Sequence, residues 1–119
     1  MSLRVLIVED EAVVAMLLED MMADLGHQVV SSVGRMEQAL EAAETLNVDL
    51  AILDVNLSGE MTYPVAERLR ERGIKVVFAT GYGADGLRED WRVAPVVQKP
   101  FQLRDLERAL GLASAGGQA

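Results

Sequence analysis

The chain has 119 residues, half of them hydrophobic and a quarter charged, which suits one soluble domain that closes its core without staples. It has no cysteine, so disulfide frameworks, thiolate zinc sites and cysteine catalysis are excluded, and a reducing compartment fits. Lysine and arginine total 11 against 19 acids, a net charge of -8 with no basic run, and phosphate backbones would repel such a chain.

The first apolar run, Leu3 to Val8, predicts a strand. It is too short to span a membrane and leads directly into three acids, so a cytoplasmic protein is expected. Val14, Leu17, Leu18, Met21 and Leu25 then recur at helical spacing, predicting one face of a helix that Gly26 ends. Val29 to Val33 predicts the second strand, and Met36, Leu40 and Ala43 a second helix. Leu50 to Leu53 predicts the third strand, and Val65, Ala66 and Leu69 a third helix before Gly73, with Tyr63-Pro64 at its entry. Val76 to Ala79 and Pro95 to Val97 predict two more strands. The segment between them, Ala84 to Trp91, offers only Leu87 and Trp91 for a fourth, poorly supported helix. Leu103, Leu106, Leu110 and Ala113 predict the last one, followed by a flexible tail over 114–119. Methionines such as Met16, Met21, Met22 and Met36 fall at core-like positions.

Nearly continuous Val, Ile and Leu runs are the mark of parallel strands buried on both faces. Strands alternating with helices make one α/β doubly wound domain over 1–119. In such a sheet, chemistry gathers beyond the carboxyl ends of the strands. There the chain places Glu9, Asp10 and Glu11 after the first strand, Asp54 after the third, Thr80 after the fourth and Lys99 after the fifth. Converging carboxylates repel one another unless a cation neutralises them, and a hard divalent ion such as Mg2+ suits oxygen ligands. Taken singly these residues have ordinary readings: Asp10 as a helix cap, Asp54 as a turn residue, Thr80 as a loop hydroxyl, Lys99 as a surface charge. Their joint placement on one rim favours a site.

The set Val8-Glu9-Asp10-Glu11, Leu53-Asp54-Val55-Asn56-Leu57, Ala79-Thr80-Gly81 and Lys99-Pro100-Phe101 resembles the receiver domain of two-component response regulators over essentially the whole chain. Phe78-Ala79-Thr80-Gly81-Tyr82 further resembles the signature of the FAT GUY subgroup of stand-alone receivers. The resemblance implies a flavodoxin-like (βα)5 sandwich with strand order 2-1-3-4-5. It also implies that Asp54 is the phosphoacceptor. Mg2+ would be held by Asp10, by Asp54, by Glu9 through water and by the Asn56 backbone carbonyl. Thr80 and Lys99 would meet the phosphoryl oxygens. It implies a signalling domain that transfers a phosphoryl group to its own aspartate and loses it again, not an enzyme acting on outside substrates. A cis peptide before Pro100 is expected on the same ground.

One position departs from the usual receiver. Three residues before the lysine stands Val96, where receivers carry an aromatic ring whose rotamer follows the threonine. Tyr82 is the nearest substitute switch residue beside Thr80, and an ordinary half-exposed ring is the competing reading. With a thin fourth helix, the Gly81-Tyr82-Gly83 loop and the segment up to Trp91 are expected to reorder on phosphorylation.

The implied partners are a histidine kinase, of the HWE or related HisKA2 type by the same resemblance, and a downstream protein reached as adaptor, relay or phosphate sink. No nucleic acid and no membrane partner is expected, and a monomer is. A phosphorylation-independent pseudo-receiver is the alternative, although such domains lose an acid, the threonine or the lysine, and all are present here. An aspartyl-phosphate hydrolase needs a second acid where Asn56 stands. A flavin carrier would be repelled by Glu9-Asp10-Glu11. The only histidine, His27, follows Gly26 and reads as a turn residue.

Overall fold

A computed structural model describes residues 2–81 and 86–116. The elements run β1 (Arg4–Val8), α1 (Ala12–Asp24), β2 (Gln28–Val33), α2 (Met36–Thr45), β3 (Leu50–Asp54), β4 (Asn56–Leu57), β5 (Glu60–Met61), α3 (Tyr63–Glu71), β6 (Lys75–Thr80), a 3-10 turn (Glu89–Trp91), β7 (Val96–Gln98) and α4 (Leu103–Gly116). The main sheet is parallel throughout, in the order β2-β1-β3-β6-β7. Counting only its five strands, this is the expected flavodoxin-like order 2-1-3-4-5.

Alternation along the central strands sorts the core into two layers. Leu6, Val8, Ala51, Leu53, Val76 and Phe78 pack with residues of α2 and α3 on one face. Val5, Ile7, Leu50, Ile52, Val77 and Ala79 pack with α1 and α4 on the other. β3 is buried along its whole length, as its unbroken apolar run requires. The edge strands are wetter. β2 has no fully buried residue, and its register with β1 slips between Val5 and Leu6, so that Val29 and Ser31 find partners while Val30 is left unpaired and exposed.

Helix α1 buries most of the face that its spacing suggested, with Leu17 the exception. Ala15, Leu18 and Met22 face the sheet, while Val14, Met21 and Leu25 are half-buried beside them. Leu17 and Met16 are 44% and 64% exposed, so core filling does not account for Met16. The cause is compositional: Ala12 to Leu18 is apolar on every side, so its period cannot select a face, and the small Ala15 lets the helix approach the strands.

Between β6 and β7 the described residues form a 3-10 turn in place of an α-helix, so four α-helices stand among the described residues where five were expected. Tyr82, on which the switch reading falls, and residues 83–85 lie outside the described residues. The rest of this crossover is well anchored, contrary to the expectation of a thinly packed segment. Leu87 and Trp91 are buried. Phe78 meets the rings of Tyr63 at 5.9 Å and Trp91 at 5.5 Å, both edge-on. The Arg88 amide donates to the Tyr63 hydroxyl at 2.7 Å. At the far end, α4 continues through Gly116 into the segment expected to be tail. No helix among the described residues is long and apolar enough to cross a membrane.

Tyr63→Phe strands the Arg88 amide while keeping the ring packing. It is expected to lower stability by about 1 kcal/mol, read by urea unfolding, with faster hydrogen exchange at the Arg88 amide. Unchanged stability and exchange would mean that ring packing alone holds the crossover.

Candidate functional site

Glu9 follows β1, Asp54 ends β3, Thr80 ends β6 and Lys99 follows β7. Parallel pairing of β1 with β3, β3 with β6 and β6 with β7 puts these ends on one rim. Asp54 is 9% exposed, and Glu9 and Thr80 are 3% each. One carboxylate oxygen from each of Glu9, Asp10 and Asp54 lies within 4.8 Å of the others. The Lys99 ammonium bridges two of these acids, donating to Glu9 Oε2 at 2.9 Å and to Asp54 Oδ2 at 3.2 Å. The Lys99–Pro100 peptide is cis, and the Lys99 amide donates to the Thr80 carbonyl at 2.8 Å.

The remaining lone pairs are met by nearby amides. The Glu11 amide donates to Glu9 Oε1 at 3.1 Å, and the Asn56 amide donates to Asp54 Oδ1 at 3.2 Å. Asp10 does not cap α1: the capping position is Glu11, which makes no side-chain cap bond. The Asp10 carboxylate instead accepts from the amide and the hydroxyl of Ser58. Gly34 presses on this corner, where an added Cβ would sit 3.3 Å from the Glu9 carbonyl. At Gly81 nothing among the described residues lies within 4 Å of such a Cβ.

Charge balance at this rim is incomplete. Burial pushes Glu9 from an ordinary 4.5 up to about 7, with the Asp54 charge adding to the rise and the Lys99 ammonium and Glu11 amide opposing it. Lys99 is drawn down by burial, yet its hydrogen bond to Glu9 and the field of Asp54 leave it above its usual range. Asp10 is pulled up by partial burial, and the Ser58 hydroxyl and amide more than reverse that, leaving it below the usual aspartate range. One ammonium therefore serves a cluster that favours a further cation. Three hard oxygen donors in close array, with one carboxylate pushed toward its neutral form, are the donor chemistry that Mg2+ satisfies.

Sequence reasoning reached every charged member of this set and missed the residues that hold them. Thr62 is fully buried and stands at the capping position of α3 without capping it. Its hydroxyl donates to the Asp54 carbonyl at 2.6 Å. A threonine just before Tyr63-Pro64 signals a helix start, and nothing in the sequence says that its hydroxyl turns to the strand. Val96, at the position where an aromatic ring was missed, is half-buried against the Phe78 layer. His27 is more than a turn residue, because its Nδ1 accepts the Leu3 amide at 3.0 Å and fastens the start of β1.

This fold with this rim belongs to a known class of signalling domain. The chain is a member of the response regulator receiver domain family, whose model matches residues 5–111. It is similar to the transcriptional regulatory protein PdtaR of Mycobacterium tuberculosis, 34% identical over 92% of this chain and 56% of that protein. The solution structure of SdrG from Sphingomonas melonis Fr1 is 44% identical, with a TM-score of 0.85 over 93% of this chain and 95% of that one. A BeF3-activated conformation of SdrG, from Pseudomonas melonis Fr1, gives 0.79 at the same identity over 91% and 92%. The chain spans about half the length of the curated relatives it matches. Receiver domains are signalling domains of two-component systems that interact with histidine kinases and downstream proteins, and they generally bind Mg2+.

The raised Glu9 value has a consequence for stability. Between 4.5 and about 7 the folded chain holds a proton on Glu9 that the unfolded chain has released. The unfolding free energy of metal-free protein should therefore fall as pH rises through that window. The depressed Asp10 has the opposite sign and acts only below 3.8. Urea unfolding in EDTA across this range should show the decline, and Glu9→Gln should flatten it. A slope that survives in the variant would assign it to another group.

Proposed function

We propose that the chain is a phosphoacceptor receiver of the FAT GUY kind, taking a phosphoryl group from a histidine kinase onto Asp54 and passing the signal by protein contact. The observation that carries this reading is the convergence of Glu9, Asp10 and Asp54 within 4.8 Å, with the Lys99 ammonium bound to the Asp54 carboxylate. The subgroup rests on Phe78-Ala79-Thr80-Gly81-Tyr82 together with Val96, and a kinase of the HWE or HisKA2 type accords with it. The BeF3-activated conformation of SdrG adds support, since trifluoroberyllate has the tetrahedral shape of a phosphoryl group.

Asp54 would be the nucleophile, and a carboxylate needs no separate base to attack phosphorus. One of its oxygens forms the bond to phosphorus as the P–N bond of a phosphohistidine breaks, and the electron pair stays with the imidazole nitrogen. Asn56 and Lys99 hold the two Asp54 oxygens, so the carboxylate is oriented before the donor arrives. Lys99 would neutralise a phosphoryl oxygen, and the Thr80 hydroxyl would donate to another. Glu9, Asp10, Asp54 and the Asn56 carbonyl would hold Mg2+, which supplies positive charge against the phosphoryl oxygens. The space at Gly81 among the described residues would admit donor or water. Tyr82 would answer Thr80 in place of the ring absent at Val96, while Leu87 and Trp91 stay anchored by burial.

Intact-mass measurement tests this after incubation with Mg2+ and a phosphorylated HWE-type kinase. Wild type should gain one phosphoryl group, while Asp54→Asn and wild type in EDTA gain none. No gain in wild type with several kinases, while Mg2+ still binds, would make the domain a pseudo-receiver.

A further inference from the structure

The turn that carries Ser58 was not anticipated in the sequence, and it reaches across to the site from beyond β3. β4 and β5 are an antiparallel pair in which Asn56 faces Met61 and Leu57 faces Glu60. Only Ser58 and Gly59 link them, with φ of 52° and 92°. Two left-handed residues make the tight hairpin turn whose twist matches its strands, and glycine, asparagine and aspartate are the usual occupants. Serine in the first place is a strained choice. The turn is further held by Asn56, whose Oδ1 accepts the Gly59 amide at 2.7 Å.

What the strain secures is a double contact. Ser58 donates both its amide, at 3.0 Å, and its hydroxyl, at 2.9 Å, to the same oxygen, Asp10 Oδ2. Asp10 is the exposed member of the acid cluster, the one without packing to fix its rotamer. Glu9 and Asp54 are held by burial, by Lys99 and by backbone amides. For Asp10 the structure supplies chiefly Ser58, with lesser contacts to its own amide and to the Glu9 side chain. With both bonds in place, an Asp10 oxygen lies within 4.8 Å of those of Glu9 and Asp54, so the held orientation is the one that closes the cluster.

We infer that Ser58 is a positioning residue, whose hydroxyl and amide fix the Asp10 carboxylate in the orientation that binds the metal and so set the affinity for Mg2+. The inference rests on the metal reading above and deepens it. Carboxylates that bind metals are themselves hydrogen-bonded, and losing such a partner weakens metal affinity roughly 10- to 100-fold. Because the backbone amide of Ser58 survives any side-chain change, the lower end of that range applies.

Two substitutions separate positioning from simple support of the turn. Ser58→Gly relieves the left-handed backbone and removes the hydroxyl. Ser58→Thr keeps the hydroxyl and strains the backbone further, through its branched Cβ. MgCl2 titrations followed by amide NMR give the dissociation constant, and melting in EDTA gives the metal-free stability. Ser58→Gly should weaken Mg2+ binding about tenfold without loss of melting temperature. Ser58→Thr should melt lower yet bind Mg2+ close to the wild-type level. The inference is overturned if Ser58→Gly binds as tightly as wild type or tighter, or if affinity simply follows melting temperature across the series. Absence of Mg2+ binding by wild type would overturn the metal reading, and this inference with it; binding by wild type that is indifferent to Ser58 would overturn this inference alone.

Discussion

One ammonium among three carboxylates is the constraint on which the rest of this structure depends. Lys99 bonds Glu9 and Asp54 directly, yet Glu9 is still pushed up to about 7 by burial and by Asp54. A fully compensated cluster would not leave a buried glutamate so close to neutrality. The excess negative charge is tolerated because the sheet is a rigid frame: β1 and β3 are buried on both faces, and their register leaves the acids no route apart. Stability given up at this rim is the counterpart of an acid cluster that could hold a metal ion.

Around that cluster a ring of uncharged donors does the orienting. The amides of Glu11 and Asn56, the Thr62 hydroxyl on the Asp54 carbonyl and both donors of Ser58 on Asp10 each come from a turn just past a strand or just before a helix. Such segments carry amides with no partner in the sheet, and the carboxylates complete them. Thr62 has a further consequence, because its neighbour Tyr63 accepts the Arg88 amide. β3 is thus joined through the start of α3 to the crossover that follows Thr80. The edge-on rings of Tyr63, Phe78 and Trp91 pack the same junction. With valine at position 96, this junction is the aromatic link between the site and that side of the sheet among the described residues.

The identities of the charged residues were legible in the sequence because each terminates an apolar run. Asp54 follows Ala51-Ile52-Leu53, and Glu9 follows Val5 to Val8. In a parallel sheet the ends of such runs meet on one side whatever the details of packing. The errors fell where local pattern is degenerate. An all-round apolar α1 start concealed that Met16 and Leu17 face outward. Two glycines ahead of Leu87 and Trp91 suggested a thin helix where buried rings hold a 3-10 turn.

By itself, then, the sequence determined the order of the five parallel strands and the acids, threonine and lysine at their ends, since hydrophobic period and strand termini are local properties that survive into the fold. That Leu17 and Met16 stay outside the core, where Thr62 turns its hydroxyl and that Ser58 reaches Asp10 across 48 positions of chain were decided only in the tertiary structure. A side chain's hydrogen-bond partner depends on distances between elements that no local pattern encodes. The residues that act could be read from where the strands end, while those that hold them in place became visible only once the chain had folded back on itself.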